Sequence, residues 1–184
     1  MDGFKVAKVV SMVFVPYVHP LYLFPLLTMF GAIDVHDCLI GIVLYAFLPL
    51  AIHAVLLVLK RVDIDVVDRA SRVPMLATAV AMYVASYQIF RCSMSKLVAL
   101  IYTFVGITIM ATLIFTKVSV HVASFVPSIV AFAKLGLVHL AVALAIAMLV
   151  TAWSRAILDK HTPAQISLAL VASFGSSLPV LVIH

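Results

Sequence analysis

The sequence predicts an all-α, polytopic integral membrane helix bundle of about six to seven transmembrane helices. Three observations lead there. First, 66% of the 184 residues are hydrophobic and the mean hydropathy is +1.28, whereas a soluble domain is nearer half apolar. Second, only 10% of the residues are charged, too few to cover a globule with a polar skin. Third, the apolar residues gather into seven stretches, several of them close to the roughly 20 residues that a helix needs to cross a bilayer. They use nearly the whole chain, which is therefore read as one transmembrane domain over 1–184.

The first stretch, about 4–31, contains Pro16, Pro20 and Pro25. Its apolar run is longer than a signal-peptide core and lacks a small-residue cleavage pattern, so it is expected to remain as a helix. The second covers about 37–59, and the charged stretch Lys60 to Arg72 follows it. The third, about 73–91, ends in the polar turn Arg91-Cys92-Ser93-Met94-Ser95-Lys96, and the fourth covers about 97–116. The fifth, about 119–133, is short for a full crossing, and Ser119 is placed to cap it. The sixth covers about 136–154. The polar stretch Ser154 to His161 precedes the seventh, about 163–183, where Thr162-Pro163 reads as an N-cap followed by proline at the first helical position.

Counting crossings brings three polar stretches to one membrane face: Lys60–Arg72, Lys117–His121 and Arg155–His161. Lys5 and Lys8 join them, while Arg91, Lys96 and Lys134 fall opposite. The positive-inside tendency makes the richer face cytoplasmic in a cell membrane. The net charge of +5 is thus assigned to lipid headgroups and orientation, not to nucleic acid.

The same face carries a chemically coherent set. Arg155, His161 and the start of the last helix offer a cation, an imidazole and a positive helix end to an anion. A neutral imidazole beside a phosphoryl group can attack it and carry it covalently. Gln165, four residues beyond His161, is placed to accept from one ring N–H. His121, beside Ser119 and Lys117, suits a general acid for a leaving alkoxide. Arg69 and Arg72 supply guanidinium forks that match phosphate oxygens. Taken singly, such cations also serve as headgroup anchors and an interfacial His as a hydrogen-bonded amphipath.

Cys38 and Cys92 form no CxxC pair and read as small apolar residues. His19, His53 and His139 lie within apolar segments, but no helix clearly carries two, which disfavours haem. Asp34 and Asp37, and the group Asp63, Asp65 and Asp68, could hold magnesium, but they fall on opposite faces.

Ser154-Arg155, five residues, then His161 resembles the third signature of the type 2 phosphatidic acid phosphatase superfamily, Ser-Arg and His at that interval with an Asp beyond. Ser119-Val120-His121 resembles its second signature, with the Pro and Gly lost, and Arg69, Arg72 and Pro74 a degenerate form of the first, without its Lys. A divergent branch is closer. It is similar at His19-Pro20-Leu21 with Pro25, at Lys117-Val118-Ser119-Val120-His121, and at His161-Thr162-Pro163-Ala164-Gln165. The resemblance covers nearly the whole chain in order.

It implies a lipid phosphate phosphatase, acting on phosphatidate or a polyprenyl diphosphate, that needs no metal or cofactor. It implies His161 as nucleophile and His121 as general acid, with Arg72, Arg155 and Ser119 on the phosphate. Arg69 or Lys117 would replace the first-signature Lys. The family's acidic residue is Gln165 here, which can orient an imidazole but adds no charge. A catalytically weakened relative that binds anionic lipid, or a subunit of a membrane assembly, is therefore the alternative. The expected partners are membrane lipids and a phosphorylated lipid substrate, with homo-oligomerisation left open.

Overall fold

The structure, a computed structural model, describes residues 3–59 and 69–183. These residues form helices joined by short turns, with no strand among them. In order they are α1 (Gly3–Val13), a 3₁₀ turn (Pro16–Val18), α2 (His19–Met29), α3 (Val35–Ile42), a π-helical stretch (Val43–Phe47), α4 (Leu48–Val58), α5 (Arg69–Ile89), α6 (Ser93–Thr112), α7 (Val120–Ala123), α8 (Val126–Lys134), α9 (Val138–Ile157) and α10 (Pro163–Ile183).

Each of the seven expected stretches is helical, but the crossings differ in number. Among the described residues four helices are long and apolar enough to cross a membrane: Val35–Val58, Ser93–Thr112, Val138–Ile157 and Pro163–Val182. A fifth is added if α1 and the Pro16–Met29 segment count as one span bent by 47°. The chain is thus compatible with membrane insertion, and the count of six to seven is not met by length and composition among the described residues. The physical reasons are local. Pro16 removes a backbone donor and splits the first stretch. Helix α5 has 21 residues, but Arg69, Arg72, Tyr83, Tyr87 and Gln88 make it too polar. The fifth stretch is only Val120–Lys134, broken between α7 and α8.

Helix α6 is central and packs against α5, α8 and α10, while α1 and α8 pack against α9 and α2 against α3. Its buried face carries Leu97, Val98, Ile101, Val105 and Ile109, at the spacing of one helical stripe. Hydroxyls buried between helices, such as Thr103 and Thr151, bond back to carbonyls four residues earlier at 2.8 Å, which satisfies them in an apolar interior. Phe24, Tyr45 and Phe90 form an aromatic cluster with centroids 5.3–6.2 Å apart.

Gly41 makes the α2–α3 approach possible, because a Cβ there would overlap the fully buried Phe24 ring. Gly41→Ala is expected to destabilise the protein by about 1–3 kcal/mol, the usual cost of overpacking a filled site. Thermal unfolding in detergent followed by circular dichroism measures this, and an unchanged midpoint would contradict the packing.

Candidate functional site

The turn between α9 and α10 is built from two helix-end signals. Helix α9 stops in a Schellman motif: Lys160 N–H donates to the Arg155 carbonyl and Asp159 N–H to the Ala156 carbonyl, both at 3.1 Å. Asp159 takes the left-handed conformation, φ 52°, that such a stop requires. His161 N–H then donates to the same Arg155 carbonyl at 3.3 Å. Helix α10 starts at once with a reciprocal capping box. Gln165 N–H donates to Thr162 Oγ1 at 3.3 Å, and Thr162 N–H donates to Gln165 Oε1 at 3.1 Å. His161 is thereby held between two fixed ends, just outside α10. Asp159→Gly, which relieves an L-residue in left-handed space, is expected to raise the free energy of unfolding by up to about 1 kcal/mol. Chemical denaturation in detergent reads the change; a fall would contradict the motif.

Arg155, almost fully buried, donates from Nη1 to Ser11 Oγ at 2.7 Å, and Ser154 Oγ donates to the Ala7 carbonyl at 2.6 Å. These bonds fix the end of α9 against α1. On the other flank Arg72 Nη1, in the first turns of α5, donates to the Val118 carbonyl at 3.3 Å, which ties α5 to the segment before His121.

A half-open cavity of about 620 Å³ lies among these elements. Helix α1 packs on α9 and α5 on α6, and residues of all four line it. Its wall carries Lys8, Arg72, His121, Arg155, Lys160 and His161, and the charges of Arg72 and Arg155 act on His161. Most of the remaining wall is apolar or aromatic, with Ile52, Met75, Tyr83 and Val105 among the lining residues. No Asp or Glu lines the cavity among the described residues, so its field favours an anion.

His161 is 5% exposed and its Nδ1 has no hydrogen-bond partner. Burial chiefly, then the charges of Arg155, Arg72 and Lys117, push its pKa down to about 4, against a small opposing effect of the neighbouring Gln165. The imidazole is therefore neutral at neutral pH, the form a nucleophile needs.

The cavity gathers His161, His121, Arg72 and Arg155 from the expected set. Lys117 is not in its wall, though its charge acts on His161. Ser119 occupies the N-cap position of α7 but makes no capping bond, and its fully buried hydroxyl has no partner, which corrects the expected cap. The side chain of Arg69 lies outside the described residues, as do Lys60 to Asp68.

Gln165 has more than one task. Its carbonyl accepts from the Thr162 N–H at 3.1 Å and its amide nitrogen lies 3.4 Å from Thr116 Oγ1, while its side-chain hydrogen bond with His161 opposes the fall in that imidazole's pKa. The helix begins two residues after His161, so the four-residue spacing places the two on no common helical face. Sequence reasoning missed Lys8 and Ser11 as parts of this site. The sequence groups Lys8 with the basic stretches, and Ser11 lies one helical turn beyond it.

The acidic pair at the other end of the molecule is structural. Asp34 caps α3, accepting from Asp37 N–H at 2.7 Å. Asp34, Asp37 and Cys92 bring potential ligand atoms within 4.8 Å of one another. However, both Asp37 oxygens already accept from donors at the start of α6: Arg91 N–H at 3.0 Å, Cys92 N–H at 2.8 Å and the Ser95 hydroxyl. That makes the carboxylate a helix cap. In comparisons with known proteins, the chain matches no protein-family model, no curated protein and no solved structure.

Proposed function

We propose that this chain is a polytopic membrane enzyme that hydrolyses a lipid phosphate at the α9–α10 turn through His161. Six or seven crossings, counting α5 and the short α7–α8 segment, would put the polar part of the cavity at the cytoplasmic face, where the basic residues concentrate. The observation that carries the reading is the cavity itself: four cations with His121 and His161 in a wall that is otherwise mostly apolar, and no acid among the described residues. A phosphorylated lipid has the same division of chemistry.

In this reading His161 attacks phosphorus while Arg72 and Arg155 neutralise the phosphoryl oxygens. The bond from phosphorus to the lipid oxygen breaks, and His121 gives the leaving oxygen its proton. Water, deprotonated by His121, then attacks the phosphohistidine. The P–N bond breaks and inorganic phosphate leaves with His161 restored.

Phosphate release by the detergent-purified protein in EDTA tests this, with phosphatidate, phosphatidylglycerol phosphate and a polyprenyl diphosphate as substrates and His161→Ala in parallel. Release that vanishes in the variant is the expected result; no release from any lipid by the folded protein would sink it. One observation favours a second reading, a weakened relative that binds anionic lipid or serves in a membrane assembly. His161 Nδ1 has no partner and Gln165 is engaged in capping, so the nucleophile lacks the orienting acid that hydrolase triads use.

A further inference from the structure

The cavity wall contains a further polar pair, on other elements than the cations. Tyr17, in the turn after α1, and His53, in α4, both line it, and the Tyr17 hydroxyl lies 2.8 Å from His53 Nδ1. Their rings meet edge to face at 5.9 Å. Tyr17 is six residues beyond Ser11, whose hydroxyl contacts Arg155, and the bend at Pro16 separates the two.

A phenol is the stronger donor towards an imidazole nitrogen, so the contact favours the tautomer in which the Tyr17 O–H donates to Nδ1 and the ring proton sits on Nε2. His53 Nε2 is buried and has no hydrogen-bond partner. A buried N–H left unpaired is costly, and here it belongs to a residue in the wall of a cavity. A wholly hydrocarbon tail would leave it unpaired. A ligand oxygen that accepts hydrogen bonds would satisfy it.

We propose that Tyr17 and His53 form a second subsite that binds a backbone oxygen, an ester carbonyl above all, of a glycerol-based lipid whose phosphate occupies the cationic part of the cavity. This rests on the lipid-phosphate reading of the cavity and extends it to the tail: the site prefers a phosphorylated glycerolipid to a phosphorylated hydrocarbon alcohol.

Affinities of the full-length protein in detergent for dioctanoyl phosphatidate and for a straight-chain alkyl monophosphate of equal carbon number test the proposal. The binding is measured in the His161→Ala background, so that turnover does not intervene. The ester lipid is expected to bind more tightly. His53→Phe should lower its affinity about fivefold, the loss of one net hydrogen bond, and leave the alkyl phosphate unchanged or tighter. His53→Gln, which keeps an amide donor, should restore the preference for the ester.

Equal weakening of both lipids in His53→Phe would overturn the subsite, because it would mark a purely structural role. So would an unchanged ratio between the two lipids. Phosphate release by the wild-type protein is followed alongside. Absence of release with the ester preference intact would sink the hydrolase reading alone. Release without that preference would sink the subsite alone.

Discussion

Asp37→Ala lowers the free energy of unfolding by about 3–5 kcal/mol, within the range for breaking a buried charged hydrogen-bond network. The carboxylate is fully buried and receives two backbone N–H groups and a hydroxyl at the start of α6, and the His36 ring lies 3.1 Å away. Removing it orphans the donors that a helix N-terminus cannot satisfy internally. It also unfastens α3 from α6, the helix at the centre of the bundle. Asp37→Asn keeps the shape but turns an amide N–H towards other donors, so it should recover less than half of the loss. Unfolding titrated with sodium dodecyl sulfate in mixed micelles measures both variants. A change below about 1 kcal/mol for alanine would place the donors' satisfaction elsewhere.

If the proposed hydrolase reading holds, His161→Ala is expected to reduce phosphate release by about 10³-fold or more, as removal of a covalent nucleophile does. A second readout in the same variant is independent of turnover. The imidazole pKa is held at about 4, below its ordinary 6.5. The unfolded chain therefore takes up a proton at a pH where the folded chain does not, and stability falls as pH drops from 6.5 through 4. The loss amounts to at most about 3 kcal/mol. His161→Ala should remove that part of the acid sensitivity while leaving the backbone bond from residue 161 to the Arg155 carbonyl in place. Melting midpoints of both proteins between pH 4 and 7 test this, and equal slopes would mean that the imidazole is solvated.

The helices were legible in the sequence because apolar runs and proline positions act locally. The seventh stretch begins at Pro163, as Thr162-Pro163 indicates, and the sixth ends near its expected boundary. His121, Arg72, Arg155 and His161, grouped from the sequence by their residue types and order, line one cavity, although the crossing count used to group them is not met by length and composition. Side-chain partners were not legible. A glutamine three residues after a threonine can serve a helix start or a neighbouring imidazole, and only the placed backbone shows that Gln165 also caps α10 with Thr162. Asp37 was unreadable as a cap for α6 because its donors lie more than fifty residues away, at Arg91, Cys92 and Ser95.

The stop of α9 gives a meaning to the interval between Arg155 and His161. The Arg155 carbonyl takes the N–H groups of both Lys160 and His161, so guanidinium and imidazole are attached to one closed loop of backbone and move as one body. Five intervening residues are what it takes to end a helix with a left-handed residue and arrive at the threshold of the next. The spacing is thus a ruler set by main-chain geometry, with the chemistry riding on its two ends. Along that ruler the number of residues is constrained throughout, whereas their identity is constrained chiefly at Asp159, where the backbone reverses its hand.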